Sequence, residues 1–282
     1  MDAYVFLAVL AAAVFHAGWN ALLKVRLEPM MAMSLISTAC GLVALPFVPL
    51  VGLPLPAAWP YIFASLALHL VYYTALAEAY RFGDLGQVYP IARGAAPLMT
   101  AFGATLWLGE GLGFAGWCGI LVLGAGILML SLRGGRDLSR FDGRSVGFAL
   151  LTALSIAAYT LVDGAGARLA GSPAPYIVWL FVLDGIMMFT FGCWRAGSRR
   201  VVTEFRQAWT IVLLGGVLST AAYAIAIWAM TVAPIALVAA LRETSVLFAA
   251  LLGVALLKEP VMPARLAAAA LVLCGLALIR LY

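Results

Sequence analysis

The stretch that decides the fold runs from Asp84 to Leu132, DLGQVYPIARGAAPLMTAFGATLWLGEGLGFAGWCGILVLGAGILMLSL. Two apolar segments in it flank a short polar junction. A shift of 149 residues aligns the stretch with Ala233–Leu281 and matches its rarest residues: Arg93 with Arg242, Glu110 with Glu259 and Gly126 with Gly275. Eight of the 49 positions are identical, and the charged matches matter most because charges are rare in this chain. We infer that one unit occurs twice.

Composition indicates that the chain uses lipid as its solvent. It has 282 residues, of which 65% are hydrophobic and 10% charged, against about 25% charged in a soluble domain. Apolar runs of about 20 residues suit helices that cross a bilayer, and the alternating pattern of barrel strands is absent. The four cysteines form no CxxC spacing, so we expect neither a disulfide nor a metal site.

The predicted fold is all-α and integral to the membrane, with ten transmembrane helices arranged as two inverted five-helix repeats. Residues 1–132 form the first repeat, 133–144 a polar linker and 145–282 the second repeat. The first span is predicted to be an uncleaved helix rather than a signal peptide. The predicted spans are 4–23, 30–51, 58–80, 86–108, 113–132, 145–167, 174–194, 208–231, 234–257 and 263–281.

Loop charge predicts the orientation. Thirteen of the 17 Lys and Arg residues fall in the odd-numbered loops, whereas the even-numbered loops contain Arg168. Cytoplasmic loops collect Lys and Arg, so we expect the odd loops in the cytoplasm and both termini outside, with Arg280 weakly opposing this. In the first unit the loops after its first and third spans are basic, whereas in the second unit the loops after its second and fourth spans are basic. An odd number of spans per unit inverts the second unit, as in secondary transporters.

Three short motifs carry a family resemblance: Pro90-Ile91-Ala92-Arg93 through Pro97, Gly109-Glu110 and Lys258-Glu259. With five plus five helices, the chain resembles the drug/metabolite transporter superfamily, EamA type. The resemblance implies export of small metabolites, including amino acids. It also implies a central cavity lined by the first, third, fourth, sixth, eighth and ninth spans, with the fifth and tenth spans on a pseudo-twofold axis.

Arg93 and Arg242 are the main candidates for binding substrate. An unpaired Arg at mid-membrane costs about 3 kcal/mol or more, so each is expected to face a cavity or a carboxylate. As substrate ligands, they would hold a carboxylate near the midplane. As structural residues, they would be neutralised by an internal acid: Glu78, Asp163, Asp184 or Glu243.

Polar and aromatic residues on the spans complete the predicted site. His16 and Asn20 share a helix face at the i, i+4 spacing, and Tyr159 and Asp163 repeat it in the second unit. Aromatic side chains offer flat walls with a polar tip. The expected substrate-binding residues are Arg93, Arg242, His16, Trp19, Asn20, Tyr73, Tyr159, Asp163, Tyr223 and Trp228. Interhelical hydrogen bonding and interfacial belts are the structural alternatives.

Three titratable residues are proton-coupling candidates: Asp184, His16 and Glu78. Burial disfavours the charged form of a carboxylate, and an ordinary His titrates near physiological pH. Pro90 and Pro97 are expected to kink the fourth span. The ninth span has no matching prolines, so the halves should differ.

These features predict a secondary active transporter that exports small organic metabolites, with amino acids or similar zwitterions favoured, by alternating access across the inner membrane. The alternative substrate class is multidrug or cationic compounds, and the alternative protein class is a non-transporting scaffold or receptor. Neither a nucleophile constellation nor HExxH spacing occurs, so no enzyme activity, cofactor or metal is expected. The expected partners are a small-molecule substrate and the bilayer, with no nucleic acid and a monomeric chain.

Overall fold

The computed structural model of the chain describes residues 1–23, 28–82, 85–132, 143–257 and 263–281. Within these ranges the secondary structure is helical, with short 3₁₀ turns at Leu45–Phe47 and Pro56–Ala58. The α-helices are α1 (Ala3–Leu23), α2 (Pro29–Ala44), α3 (Val48–Val51), α4 (Trp59–Phe82), α5 (Leu85–Leu108), α6 (Phe114–Leu132), α7 (Gly143–Leu169), α8 (Pro173–Ala196), α9 (Ser198–Gln207), α10 (Trp209–Val232), α11 (Ile235–Arg242), α12 (Ser245–Leu257) and α13 (Pro263–Leu281).

Each predicted span corresponds to one of these helices or to a consecutive set of them. The second span comprises α2, a 3₁₀ turn and α3, and the ninth comprises α11 and α12. Six spans in the described ranges are long and apolar enough to cross a bilayer by length and composition, and further apolar helices are shorter. The prediction of an all-α membrane protein with two repeated halves is confirmed. The linker 133–144 lies largely outside the described residues.

One helix was not predicted. The basic loop after the seventh span contains α9, which begins directly after Gly197. Gly197 has a φ of +85°, a left-handed conformation that glycine adopts without a Cβ penalty. The chain therefore turns sharply at the end of α8 and enters a short helix instead of an irregular loop.

Helix packing follows a pseudo-twofold relation between the units. The crossing of α4 with α7 has its counterpart in the crossing of α10 with α1, and α5 on α7 has its counterpart in α12 on α1. Two crossings are their own counterparts: α6 with α13, and α2 with α8. Because each unit has an odd number of spans, this twofold relation inverts one unit relative to the other.

The crossing of α6 and α13 reproduces the register found in the sequence. A Cβ added to Gly126 would lie 3.1 Å from the carbonyl oxygen of Ala268, and one added to Gly275 would lie 2.9 Å from that of Gly119. The 149-residue shift converts the first contact into the second. Small residues let helix backbones approach closely in lipid, so this crossing lies on the axis, as the resemblance implied.

Not every glycine of α6 faces α13. A Cβ on Gly124 would instead lie 3.6 Å from the carbonyl oxygen of Gly94, on α5. The close approach to α13 uses Gly119 and Gly126 because these positions, seven residues apart, share one helix face.

The break in helical structure lies in the ninth span, not in the fourth. α5 is one continuous helix that contains Pro90 and Pro97, whereas α11 ends at Arg242 and α12 begins at Ser245. At the break, the backbone N–H groups of Glu243 and Thr244 donate to carbonyls three residues earlier, the tight 3₁₀ pattern. The Thr244 hydroxyl also donates to the Leu241 carbonyl at 2.8 Å, and such local bonds compete with helix.

We expect Gly275→Leu to destabilise the protein because the added side chain would meet the α6 backbone. Overpacking of this kind costs about 1–3 kcal/mol, and the apparent melting temperature in detergent should fall by several degrees. Tryptophan fluorescence can follow the transition, since the chain has 8 Trp residues. The control is Gly147→Leu, where an added Cβ has no neighbour within 4 Å. Equal melting of both variants would contradict close packing at the axis.

Candidate functional site

A small polar cavity lies among α1, α2, α4, α7, α8, α10 and α11. Its volume is about 80 Å³, enough for a few water molecules but below the 300–1,000 Å³ of typical ligand pockets. The lining contains seven of the predicted site residues: His16, Trp19, Tyr73, Tyr159, Asp184, Tyr223 and Arg242. The second and seventh spans therefore line the cavity together with the first, third, sixth, eighth and ninth. The fourth span, which the resemblance also implied, contributes no residue to the described lining.

Arg242 occupies a special position on the ninth span. It is the last residue of α11 and is 7% exposed, at the point where the helix breaks. Its guanidinium carbon lies 4.9 Å from the ring centroid of Tyr223, a cation–π contact. Within the described ranges the structure shows no ion pair for Arg242. Its charge is therefore directed to the cavity and to an aromatic face.

Arg93 is placed differently. Its Nη1 lies 3.1 Å from Oε1 of Glu243, and the side chains are 8% and 3% exposed. Its Nη2 also contacts Nε2 of His16, and His16 lines the cavity. Arg93 thus lies one layer behind the cavity, with its charge balanced by an acid of the second unit.

A single sequence difference explains why the two arginines behave differently. The 149-residue shift that pairs Arg93 with Arg242 places Gly94 opposite Glu243. Gly94 packs against Leu128, and a Cβ there would lie 2.8 Å from that side chain. The first unit therefore has glycine where the second unit has a carboxylate. The acid crosses the axis to neutralise Arg93, and among the described residues Arg242 has no equivalent acidic partner.

Asp184 is the acidic side chain among the described cavity-lining residues. Tyr73 donates its phenol O–H to Oδ2 of Asp184 at 3.1 Å, and Ser37 donates to the Tyr73 oxygen at 2.9 Å. The other carboxylate oxygen, Oδ1, is buried and has no hydrogen-bond partner in the part of the chain that is described. An unsatisfied buried oxygen is costly, so this atom is suited to accept a bond from a ligand.

Asp163 is buried away from the lining and organises the cavity wall. It accepts a hydrogen bond from Tyr176 at 2.9 Å and another from the phenol of Tyr223. Tyr223 in turn meets Tyr159 edge to face, with centroids 5.9 Å apart, and Tyr159 stacks on His69 at 4.2 Å. Asp163 therefore positions an aromatic wall, since its oxygens are occupied by phenols.

Besides Arg93 and Asp163, three predicted residues lie outside the lining. Asn20 donates to the carbonyl of His16 on its own helix at 2.8 Å. Trp228 packs edge to face on the exposed ring of Tyr4. Glu78 pairs with Arg81 at 3.4 Å, where the Arg81 side chain is 70% exposed. Their positions on the helices, not their residue types, separate them from the cavity.

Several lining residues were not predicted. Ser37, Cys40 and Phe181 come from the second and seventh spans, which the resemblance did not place at the cavity, whereas His69 and Ser219 come from the third and eighth spans, which it did. A polar residue within an apolar run was the available signal for Ser37 and Ser219. The missed residues include Ser37, Cys40, Phe181, Ser219 and His69.

One end of the bundle is closed by a second charged contact. Glu110 accepts from Nη2 of Arg168 at 2.7 Å and from the backbone N–H of Ile235 at 3.1 Å. Arg168 also donates to the carbonyls of Met230 and Ala233. Glu110 thereby caps the N-terminus of α11, where a helix dipole favours an anion. Glu259 lies outside the described residues.

A chain of two inverted five-span units around a polar central cavity has the architecture of a secondary transporter. Comparison with known families gives a specific match: the EamA-like transporter family matches residues 3–132 and 143–281. The chain belongs to the EamA-like transporter family and is therefore a multi-pass membrane transport protein. No curated protein matches it. A solved structure titled "Crystal structure of protein" superposes with a TM-score of 0.76 over 99% of this chain and 96% of that chain, at 17% identity, and so shares the fold.

We expect Glu110→Gln to lower stability because it removes an anion that caps α11 and accepts from Arg168. Hydrogen bonds to charged groups contribute about 1.5–3 kcal/mol, so the apparent melting temperature should fall clearly. Glu78→Gln is the matched control, since exposed ion pairs contribute about 0–1 kcal/mol. The cap would be refuted by a Glu110→Gln variant that melts together with Glu78→Gln.

Proposed function

We propose that the protein is a secondary active transporter that exports a small zwitterionic organic solute, such as an amino acid, across the inner membrane. One observation carries this proposal: Arg242 and Asp184 both line the same cavity. A guanidinium binds a carboxylate through parallel hydrogen bonds, and Oδ1 of Asp184 is free to accept from an ammonium. One charge of each sign in the lining favours a solute that carries both.

The size of the cavity indicates how such a solute would enter. At about 80 Å³, the space is too small for most organic solutes, so the lining helices must separate during loading. Alternating access requires such movement. In this conformation the contact between Glu110 and Arg168 ties α7, α10 and α11 together at one end. Opening of that end would require this contact to break.

The broken ninth span provides a hinge for this movement. α11 is capped by Glu110 at its first residues and presents Arg242 to the cavity at its last. Broken helices in transporters place the ends of half-helices at the substrate site. A rotation of α11 about Glu243 and Thr244 would therefore move Arg242 and the Glu110 contact together.

In the ion pair between Arg93 and Glu243, a carboxylate of the protein occupies an arginine that a substrate carboxylate could also bind. Both side chains are buried, and a buried ion that loses its partner is strongly disfavoured. In the empty transporter Glu243 satisfies Arg93. A substrate carboxylate that reached Arg93 through the His16 layer would compete with Glu243. This competition would couple solute binding to the break in the ninth span.

Proton coupling is assigned to Asp184 in this proposal. A proton and a substrate ammonium would compete for the same carboxylate, so a proton that binds from outside would displace the solute to the outside, as proton-coupled export requires. His16, between Arg93 and the cavity, is the second candidate. Glu78 is the weakest of the three candidates, because it pairs with the exposed Arg81 and does not line the cavity.

Export of cations or multiple drugs is the alternative, supported by Asp184 and by the aromatic walls of the cavity. Cations over aromatic faces are attracted, but Arg242 already occupies the face of Tyr223. A bulky cation would have to displace this guanidinium. Charged residues at membrane depth are energetically costly, and a non-transporting scaffold or receptor would have no use for Arg93, Arg242 and Asp184 there.

Counterflow of radiolabelled amino acids into proteoliposomes tests the proposal. Arg242→Leu and Asp184→Asn should each reduce uptake of the transported zwitterion at least about tenfold, since 1.4 kcal/mol of binding is tenfold in affinity. Arg81→Gln, at an exposed surface position, is the control and should transport normally. Cationic drugs and nucleosides run in parallel. Unchanged flux in both cavity variants would remove these residues from the site.

Fusion of alkaline phosphatase tests the predicted orientation. A fusion after position 138, in the basic linker, should be inactive because that linker is expected in the cytoplasm. A fusion after position 171, between α7 and α8, should be active. The reverse pattern would invert the topology and place both termini in the cytoplasm.

A further inference from the structure

A second cavity, of about 560 Å³, lies outside the transport site between α2, α8 and α9. We call it the α9 groove. Its described walls are apolar apart from Thr38 and Arg206. The apolar side chains that line it include Leu42, Leu45, Ile186, Phe189, Val202 and Phe205. An apolar channel with a single cation at its rim matches an amphiphile with an anionic head.

The groove has a floor of backbone. α2 crosses α8 at Gly41 and Gly185, where a Cβ on Gly185 would lie 2.8 Å from Cα of Gly41. With no side chains at the crossing, the groove remains open between the flanking residues. Leu42 and Ile186 beside it are 47% and 57% exposed. These apolar flanks face acyl chains in a membrane-spanning bundle.

α9 closes the groove at one end and supplies its charge. Val201, Val202, Phe205 and Arg206 of α9 all line the groove, and Val201 is also buried against the bundle. Val202 and Arg206 are four residues apart and so share one helix face. Arg199 lies seven residues before Arg206 and so on the same face. Glu204 lies two residues from Arg206, about 200° round the helix. Arg200 is engaged by Glu28 at 3.7 Å.

The position of α9 in the chain favours anionic lipid over other amphiphiles. The segment from the last turn of α8 through α9 carries Arg195, Arg199, Arg200 and Arg206, and basic connections between spans face the cytoplasm. The cytoplasmic leaflet is rich in anionic headgroups, which attract basic segments at the membrane surface. An amphipathic helix with a basic face also lies naturally in the interfacial plane.

We propose that the α9 groove binds one anionic phospholipid. An acyl chain lies along the Gly41–Gly185 crossing between Leu42 and Ile186, and the phosphate bonds to Arg206 with Arg199 beside it. This site holds the loop end of α8 against α2, and so connects bilayer composition to the wall that carries Asp184. It does not depend on which solute is transported.

Lipid retention by the purified full chain tests the site. The protein in detergent is incubated with equal amounts of phosphatidylglycerol and phosphatidylcholine, and bound lipid is counted by native mass spectrometry. We expect one phosphatidylglycerol to be retained per chain. Arg206→Gln should reduce this occupancy at least about fivefold, whereas the matched control Arg200→Gln, on the same helix, should retain it. Val202→Trp should reduce occupancy of both lipids by filling the groove.

Several outcomes would overturn the proposal. Equal retention of both lipids with no effect of Arg206→Gln would show ordinary annular lipid. If glycerol phosphate bound to the protein as well as phosphatidylglycerol does, the groove would be an anion site that needs no acyl chain. A dimer in the spectra that is lost in Val202→Trp would assign the groove to a second copy of the chain. A folding defect in Val202→Trp, detected by melting, leaves Arg206→Gln against Arg200→Gln as the deciding pair.

Discussion

The structure depends on the cost of burying charge in a medium that cannot solvate it. Arg93 and Glu243 come from different units, lie 3.1 Å apart and are almost fully buried. Removal of either partner would leave an ion without compensation, which is far more costly than removal of both. The pair therefore holds α5 against the break between α11 and α12. The cavity is built against this fixed contact, with His16 bridging Arg93 to its lining.

The architecture is symmetric in its backbone and asymmetric in its chemistry. The crossing at Gly126 and Gly275 obeys the repeat, because close backbone approach requires only small residues in register. The polar side chains do not follow the symmetry of the repeat. Tyr73 donates to Asp184 across the units, whereas Tyr223 donates to Asp163 within its own unit. An inverted fold can therefore present one cation and one anion to a common space instead of two like charges.

The contacts that close the bundle lie on the same short helix that carries a cavity-lining residue. Glu110 caps the first turn of α11 and Arg242 ends the same helix, which has 8 residues. A helix of this length is about 12 Å long, so α11 extends from the Glu110 contact to the cavity. The tight turn at Glu243 and Thr244 separates it from α12. In the proposed transport cycle, a movement of α11 would therefore change the Glu110 contact and the position of Arg242 together.

The sequence alone determined the spans, the repeat, the family and the presence of buried arginines, because hydropathy and charge are local properties that lipid makes costly to violate. It also identified Asp184, Tyr73 and Tyr223 as polar groups at membrane depth. Tertiary structure decided which acid neutralises Arg93. It also decided that the ninth span breaks, although the prolines lie in the fourth span. The reason is physical: four carboxylates were within the reach of sequence reasoning, but only packing across the pseudo-twofold axis brings one of them within bonding distance.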